Sequence, residues 1–95
     1  MSVASSAAGA GLPSAKGSPS VLVVEDDPSL ATQLVRGLSR GGYRVEHVMT
    51  GRDALASGDP DVVLLDLGLP DADGVEVCRR LRDRSDAGII IVTAR

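Results

Sequence analysis

The sequence predicts an α/β fold built on a doubly wound parallel sheet. Three observations predict it. The first is a set of short, β-branched apolar runs without polar alternation, Val21–Val24, Val62–Leu65 and Ile89–Val92. Such runs suit strands buried on both faces. The second is the helical spacing of apolar residues between the runs. The third is the placement of carboxylates directly after two of them, where open α/β sheets carry their sites.

Taken in order, residues 1–20 read as a disordered leader rich in Ala, Ser, Gly and Pro. Six Ser, five Ala, three Gly and two Pro leave it little apolar area to bury. Val21–Val24 is the first strand. Asp27-Pro28 then opens a helix, with a carboxylate at the N-cap and proline at the first helical position. Leu30, Leu34 and Leu38, with Ala31 and Val35, form its apolar stripe, and Gly41-Gly42 ends it. Tyr43–Met49 is a weaker, partly alternating strand that suits a sheet edge. Thr50-Gly51-Arg52-Asp53 resembles a capping box with Asp in place of Glu. It opens a short helix over Ala54–Ala56 that Gly58-Asp59-Pro60 stops. Val62–Leu65 is the third strand. Asp73-Gly74 opens a further helix, with Val77, Cys78 and Leu81 inward and Arg79, Arg80 and Arg82 mostly outward. Ile89–Val92 is the last strand. It is apolar on both faces, so an interior position with a further neighbouring strand and covering helix is expected. On that expectation the 95-residue polypeptide alone is marginally folded or associates through this strand.

Composition narrows the function. No apolar run is long enough to span a membrane, and the N-terminus has no secretory signal pattern. A single cysteine, Cys78, excludes a disulfide framework and fits a small core residue in a reducing cytoplasm. The net charge is −3, the only lysine is Lys16 and the only aromatic is Tyr43. A nucleic-acid module would show a basic face interleaved with aromatics. The arginines at 79, 80, 82 and 84 read as one solvated helix face, and His47 reads as a surface histidine.

Glu25, Asp26 and Asp27 follow the first strand, Asp66 follows the third and Thr93 follows the fourth. If the first and third strands are neighbours, Asp26 and Asp66 converge in the crevice at their carboxyl ends. Carboxylates forced together need a counter-charge, and an oxygen-only donor set suits Mg²⁺. An aspartate beside such an ion can take a phosphoryl group as an acyl phosphate.

These segments together resemble the receiver domain of two-component response regulators. The matching stretches are Val21–Asp27, Asp61–Pro70, Asp73-Gly74 and Ile91–Ala94, and the likeness covers residues 21–95. The Glu-Asp-Asp start and the Asp-Leu-Gly-Leu-Pro segment are most similar to the branch that carries a winged-helix DNA-binding domain. The resemblance implies a flavodoxin-like sheet of order 2-1-3-4 along these four strands. It implies Asp66 as phosphoacceptor, Asp26 and Glu25 as Mg²⁺ ligands, and a backbone carbonyl of Gly68 toward the metal. It implies that Thr93 hydrogen-bonds the attached phosphoryl group, and that Pro70 and Gly74 shape the loop after the third strand. The implied donor is a sensor histidine kinase, and DNA would be reached only through a C-terminal domain outside this chain. The family's fifth strand, with its lysine and aromatic switch residue, and its dimerisation face also lie beyond Arg95. The expected function is therefore a signalling switch in the cytoplasm and not a turnover enzyme. Two alternatives stand beside it. One is an inert truncated fragment that keeps the acidic pocket. The other is a phosphohydrolase of the haloacid-dehalogenase kind, which would carry a second aspartate where this sequence has Gly68.

Overall fold

A computed structural model of the chain describes residues 2–5 and 18–93. Its elements are β1 (Ser2–Ser5), β2 (Ser20–Val24), α1 (Pro28–Arg40), β3 (Arg44–Val48), α2 (Gly51–Ala56), β4 (Val62–Asp66), α3 (Gly74–Arg84) and β5 (Gly88–Thr93). The sheet order is β1-β5-β4-β2-β3, and β5, β4, β2 and β3 are parallel. This is the expected 2-1-3-4 arrangement of the four parallel strands, with β3 at one edge.

Register explains why the runs are apolar throughout. Leu22, Val63 and Ile89 lie level across β2, β4 and β5, as do Val24, Leu65 and Ile91. These rows pack with Ala54 of α2 and with Val77 and Leu81 of α3 in the main core. The opposite faces of the same strands turn toward the side of α1, so the runs Val21–Val24, Val62–Leu65 and Ile89–Val92 carry no polar residue. Coverage there is uneven. Val23 is fully buried, but Leu64 and Ile90, level with it, are only half-buried. The stripe of α1 is likewise half-buried at Leu30, Leu34, Val35 and Leu38, and only Ala31 is buried.

The helix ends follow the local signals. The Asp27 carboxylate accepts from the N–H groups of Ser29 and Leu30. Thr50 accepts from the Asp53 N–H, and Asp73 from the Val75 N–H. At the end of α1, Gly41 N–H returns to the carbonyls of Gly37 and Leu38, and Gly42 takes φ 93°, a conformation that favours glycine. At the amino ends of the strands, Ser20 and Asp61 bond reciprocally. The Asp61 carboxylate accepts from the Ser20 N–H at 2.8 Å, and the Ser20 hydroxyl accepts from the Asp61 N–H at 3.0 Å.

Two expectations are corrected here. Residues 1–20 do not all lack structure: Ser2–Ser5 form β1, antiparallel to β5, and Ser20 already belongs to β2. Composition treats a leader as if it were alone, whereas β5 offers it backbone partners. Residues 6–17 lie outside the described residues. Among the described residues, the outer edge of β5 is paired with β1. His47, expected at the surface, is half-buried, and its Nε2 lies 2.7 Å from the Glu25 carbonyl. The parallel pairing of β2 with β3 puts that ring beside the acidic loop.

Candidate functional site

The chain leaves β2 at Val24 and turns into the N-terminus of α1, and it leaves β4 at Asp66. Because β2 and β4 are hydrogen-bonded neighbours with Val24 level with Leu65, both turns open on the same crevice. Strand order also reverses there: β2 is followed by β3 on one side and by β4 on the other. That is the topological switch point, where doubly wound sheets bind ligands.

Three sequence-predicted residues meet there. Ligand oxygens of Glu25, Asp26 and Asp66 all lie within 4.8 Å of one another. Glu25 is 4% exposed and Asp66 9%. Glu25 is fixed from several sides. Its N–H donates to the Val48 carbonyl at 3.1 Å, its Oε1 accepts from the Asp27 N–H at 3.0 Å, and its carbonyl faces His47. The Asp66 Oδ1 accepts from the Gly68 N–H at 3.0 Å. Gly68 is thus adjacent to the site, and the bond described for it is through its N–H. Thr93 is the last residue of β5, with its backbone level with Ser2. The Thr93 side chain lies outside the described residues. Asp27 belongs to the helix cap, so its carboxylate is occupied with backbone N–H groups.

Burial pushes the Glu25 carboxyl above its ordinary 4.5, and the negative charges of Asp66, Asp26 and Asp27 push the same way against the opposing bond from Asp27 N–H. A carboxyl whose pKa rises on folding favours the fold below its ordinary value. That contribution is lost as the pH climbs through the raised one. In the metal-free protein, Glu25→Gln is therefore expected to raise the unfolding midpoint at about pH 7 and to change it little at about pH 4. Thermal unfolding at both values checks this, and an equal effect at both would remove the electrostatic cause.

Two contributors escaped the sequence reading. One is His47. The other is Asp71, whose carboxylate accepts from the N–H groups of Gly51 at 2.8 Å and Arg52 at 3.1 Å. These bonds hold the Asp71 carboxyl below its ordinary range, so its stabilising contribution is present above that range and is lost as the pH falls through the lowered value. The partners lie about twenty residues upstream, so no local signal marks the pair. The arginine row also divides. Arg79 and Arg80 pair with Glu76 on an exposed face, where such pairs contribute little. The Arg84 guanidinium instead donates to the carbonyls of Leu55, Ala54 and Ser57 at the end of α2.

The arrangement brings oxygen donors only, at a spacing suited to one hard divalent cation, so the residues present fit Mg²⁺.

Known proteins resemble the chain in sequence and in fold. The chain is 44% identical over 80 residues to the transcriptional regulatory protein AfsQ1 of Streptomyces coelicolor, a match covering 81% of this chain and 36% of AfsQ1. The chain spans about a third of the length of the curated relatives it matches. It superposes on the response regulator TrrA of Thermotoga maritima, solved in complex with Mg²⁺-BeF, with a TM-score of 0.77 at 34% identity, covering 81% of this chain and 70% of TrrA. A Burkholderia pseudomallei response regulator, solved with a phosphorylated aspartic acid and a calcium ion, gives a TM-score of 0.76 at 30% identity, covering 81% of this chain and 48% of that one. The response regulator receiver domain profile matches residues 21–95. With its four parallel strands and its acidic crevice at the switch point, the chain belongs to the response regulator receiver domain family.

Proposed function

We propose that Asp66 accepts a phosphoryl group from a phosphohistidine on a sensor kinase, and that this chain is the switched part of a transcriptional regulator. The observation that carries the reading is the convergence of Glu25 and Asp26 on Asp66 at the carboxyl ends of neighbouring strands. An Asp66 carboxylate oxygen attacks phosphorus. The bond from phosphorus to the histidine nitrogen breaks, and the imidazole leaves with the electron pair and takes up a proton. Gly68 N–H, bound to Oδ1, orients the carboxylate, and Glu25, held by Asp27 N–H and beside His47, keeps the acidic loop in place. Glu25, Asp26, Asp66 and the Gly68 carbonyl would hold Mg²⁺, which when bound neutralises charge on the carboxylates and the transferring phosphoryl group. Thr93 hydrogen-bonds the attached group. The metal-fluoride complex of TrrA and the phosphoaspartate of the Burkholderia protein support this assignment. The role is that of a cytoplasmic switch and not of a turnover catalyst. DNA contact belongs to a further domain of the longer relatives.

The test is incubation of the protein with a small acyl phosphate, with and without Mg²⁺. The expected product carries one hydroxylamine-labile phosphoryl group on residue 66, formed only with the metal. No uptake, or a label on another residue, overturns the reading.

The acidic pair can be separated by function. Asp26→Ala is expected to weaken Mg²⁺ binding by at least ~10-fold. Asp27→Ala should leave it nearly unchanged and lower stability by about 1 kcal/mol, because its carboxylate caps α1. Metal titration by calorimetry, beside urea unfolding, checks both. The reverse order would move the ligand to Asp27.

A further inference from the structure

The start of α2 is held from two sources. Thr50 caps it locally, accepting from the Asp53 N–H at 3.0 Å. Asp71 holds it from a distant segment: its Oδ1 accepts from the Gly51 N–H at 2.8 Å and its Oδ2 from the Arg52 N–H at 3.1 Å. Bonds to a carboxylate are among the stronger hydrogen bonds. Packing tightens the same contact. A Cβ at Gly51 would lie 2.8 Å from Val77 Cγ2 and 3.0 Å from Ala72 Cβ, so glycine lets the loop come this near.

The contact joins the two sides of the acidic crevice. On one side, Glu25 donates its N–H to the Val48 carbonyl at 3.1 Å, and Val48 ends β3 three residues before Gly51. On the other, Asp71 stands five residues after Asp66, in the segment 67–73, which is neither helix nor strand and also carries Gly68. Pairing of β2 with β4 ends at Val24 with Leu65, so the ladder between those two strands does not hold this segment. Its other anchors are the Gly68 N–H on Asp66 and the buried Leu69 in the core.

We infer that Asp71 is a positioning residue for the acidic site: by gripping the start of α2 it fixes where the turn of Asp66 and Gly68 stands against Glu25 and Asp26. The inference rests on Asp66 as phosphoacceptor and on the Gly68 carbonyl as a metal contact. Capping alone does not call for Asp71. Thr50 already caps α2 from the adjacent position, whereas Asp71 reaches Gly51 across twenty residues of chain. Its action passes through the backbone of the loop and not onto the reacting atoms.

The test compares Asp71→Ala with Thr50→Ala in the whole chain, well below the unfolding midpoint of each. Asp71→Ala is expected to weaken Mg²⁺ binding, read by calorimetry, by at least ~10-fold, the usual effect of removing a group that orients metal ligands. In the metal-free protein, hydrogen exchange at the Gly68 amide should quicken by at least ~10-fold. The Mg²⁺ concentration for half-maximal labelling of residue 66 by a small acyl phosphate should rise with the dissociation constant, while labelling at saturating Mg²⁺ is kept. Thr50→Ala takes a bond from the same helix end and should lower the unfolding midpoint without moving these readouts. Asp71→Asn, which keeps one acceptor oxygen, should fall between Asp71→Ala and the parent. Parent-like Mg²⁺ affinity and Gly68 exchange in Asp71→Ala overturn the inference, as do equal losses in Thr50→Ala. If Asp71→Ala does not fold, Asp71→Asn decides: parent-like values in both measurements overturn it. A parent that takes no phosphoryl group on residue 66 instead strikes the reading of the site, and the role of Asp71 with it.

Discussion

Asp66→Asn is expected to abolish phosphoryl uptake while leaving the fold intact. The amide has nearly the shape of the carboxylate, and its oxygen can still accept from the Gly68 N–H, so the turn after β4 keeps its anchor. What is lost is the nucleophile: an amide oxygen does not form a stable acyl phosphate, and labelling should fall at least ~100-fold. Stability should move the other way. Asp66 is the first of the neighbouring charges that hold the Glu25 carboxyl up, and removing it relieves a repulsion within a largely buried cluster. The metal-free variant should therefore unfold at an equal or higher temperature than the parent. Labelling with a small acyl phosphate and thermal unfolding, run on the same preparations, check the pair of outcomes. Persistent labelling would place the acceptor elsewhere. Lost labelling with a collapsed unfolding transition would make Asp66 a structural residue.

Gly74→Ala is expected to be among the most damaging single-methyl additions to the fold. A Cβ at Gly74 would sit 2.5 Å from the Leu67 Cα, 2.9 Å from its carbonyl oxygen and 3.0 Å from its Cδ2. Two of those atoms are backbone, so no rotamer change clears them. Either α3 tilts away from the sheet or the segment after Asp66 moves. The expected cost is about 3 kcal/mol, the upper part of the range for overpacking, against a total domain stability of roughly 5–15 kcal/mol. Since Leu67 is the neighbour of Asp66, surviving folded molecules should also take up phosphoryl groups more slowly. Gly37→Ala in α1 is the matched control. It meets nothing within 4 Å, so alanine should stabilise the helix by about 0.5–1 kcal/mol. Urea unfolding of both variants checks the contrast, and a Gly74→Ala protein as stable as the parent would refute the steric argument.

The contrast between local and distant causes also decides what the sequence reveals. Asp27, Thr50 and Asp73 act on N–H groups two or three residues away, so their caps can be read directly. The strands are legible because burial on both faces leaves no polar alternation. Glu25, Asp26 and Asp66 are legible as strand-end carboxylates, but their meeting depends on β2 lying beside β4, which no run of residues states. His47 and Asp71 stay hidden for the same reason: one needs the register of β2 against β3, the other a bond between the loop before α3 and the start of α2. The leader misleads in the opposite sense. Its composition speaks against a core of its own, yet β1 needs none, because β5 supplies the pairing.

Six residues are too few for α2 to be helical by itself. Its start is held by Asp71, from the loop leading into α3, and its end by Arg84, from the last turn of α3. Apart from the Thr50 cap, these holders come from α3 and the loop that leads into it, so α2 leans on that part of the chain. Opening the last turn of α3 removes the Arg84 bonds from the end of α2, whereas α1 is capped by its own residues on the other side of the sheet. Local opening of α3 is therefore expected to loosen α2 along with it, while α1 stays closed.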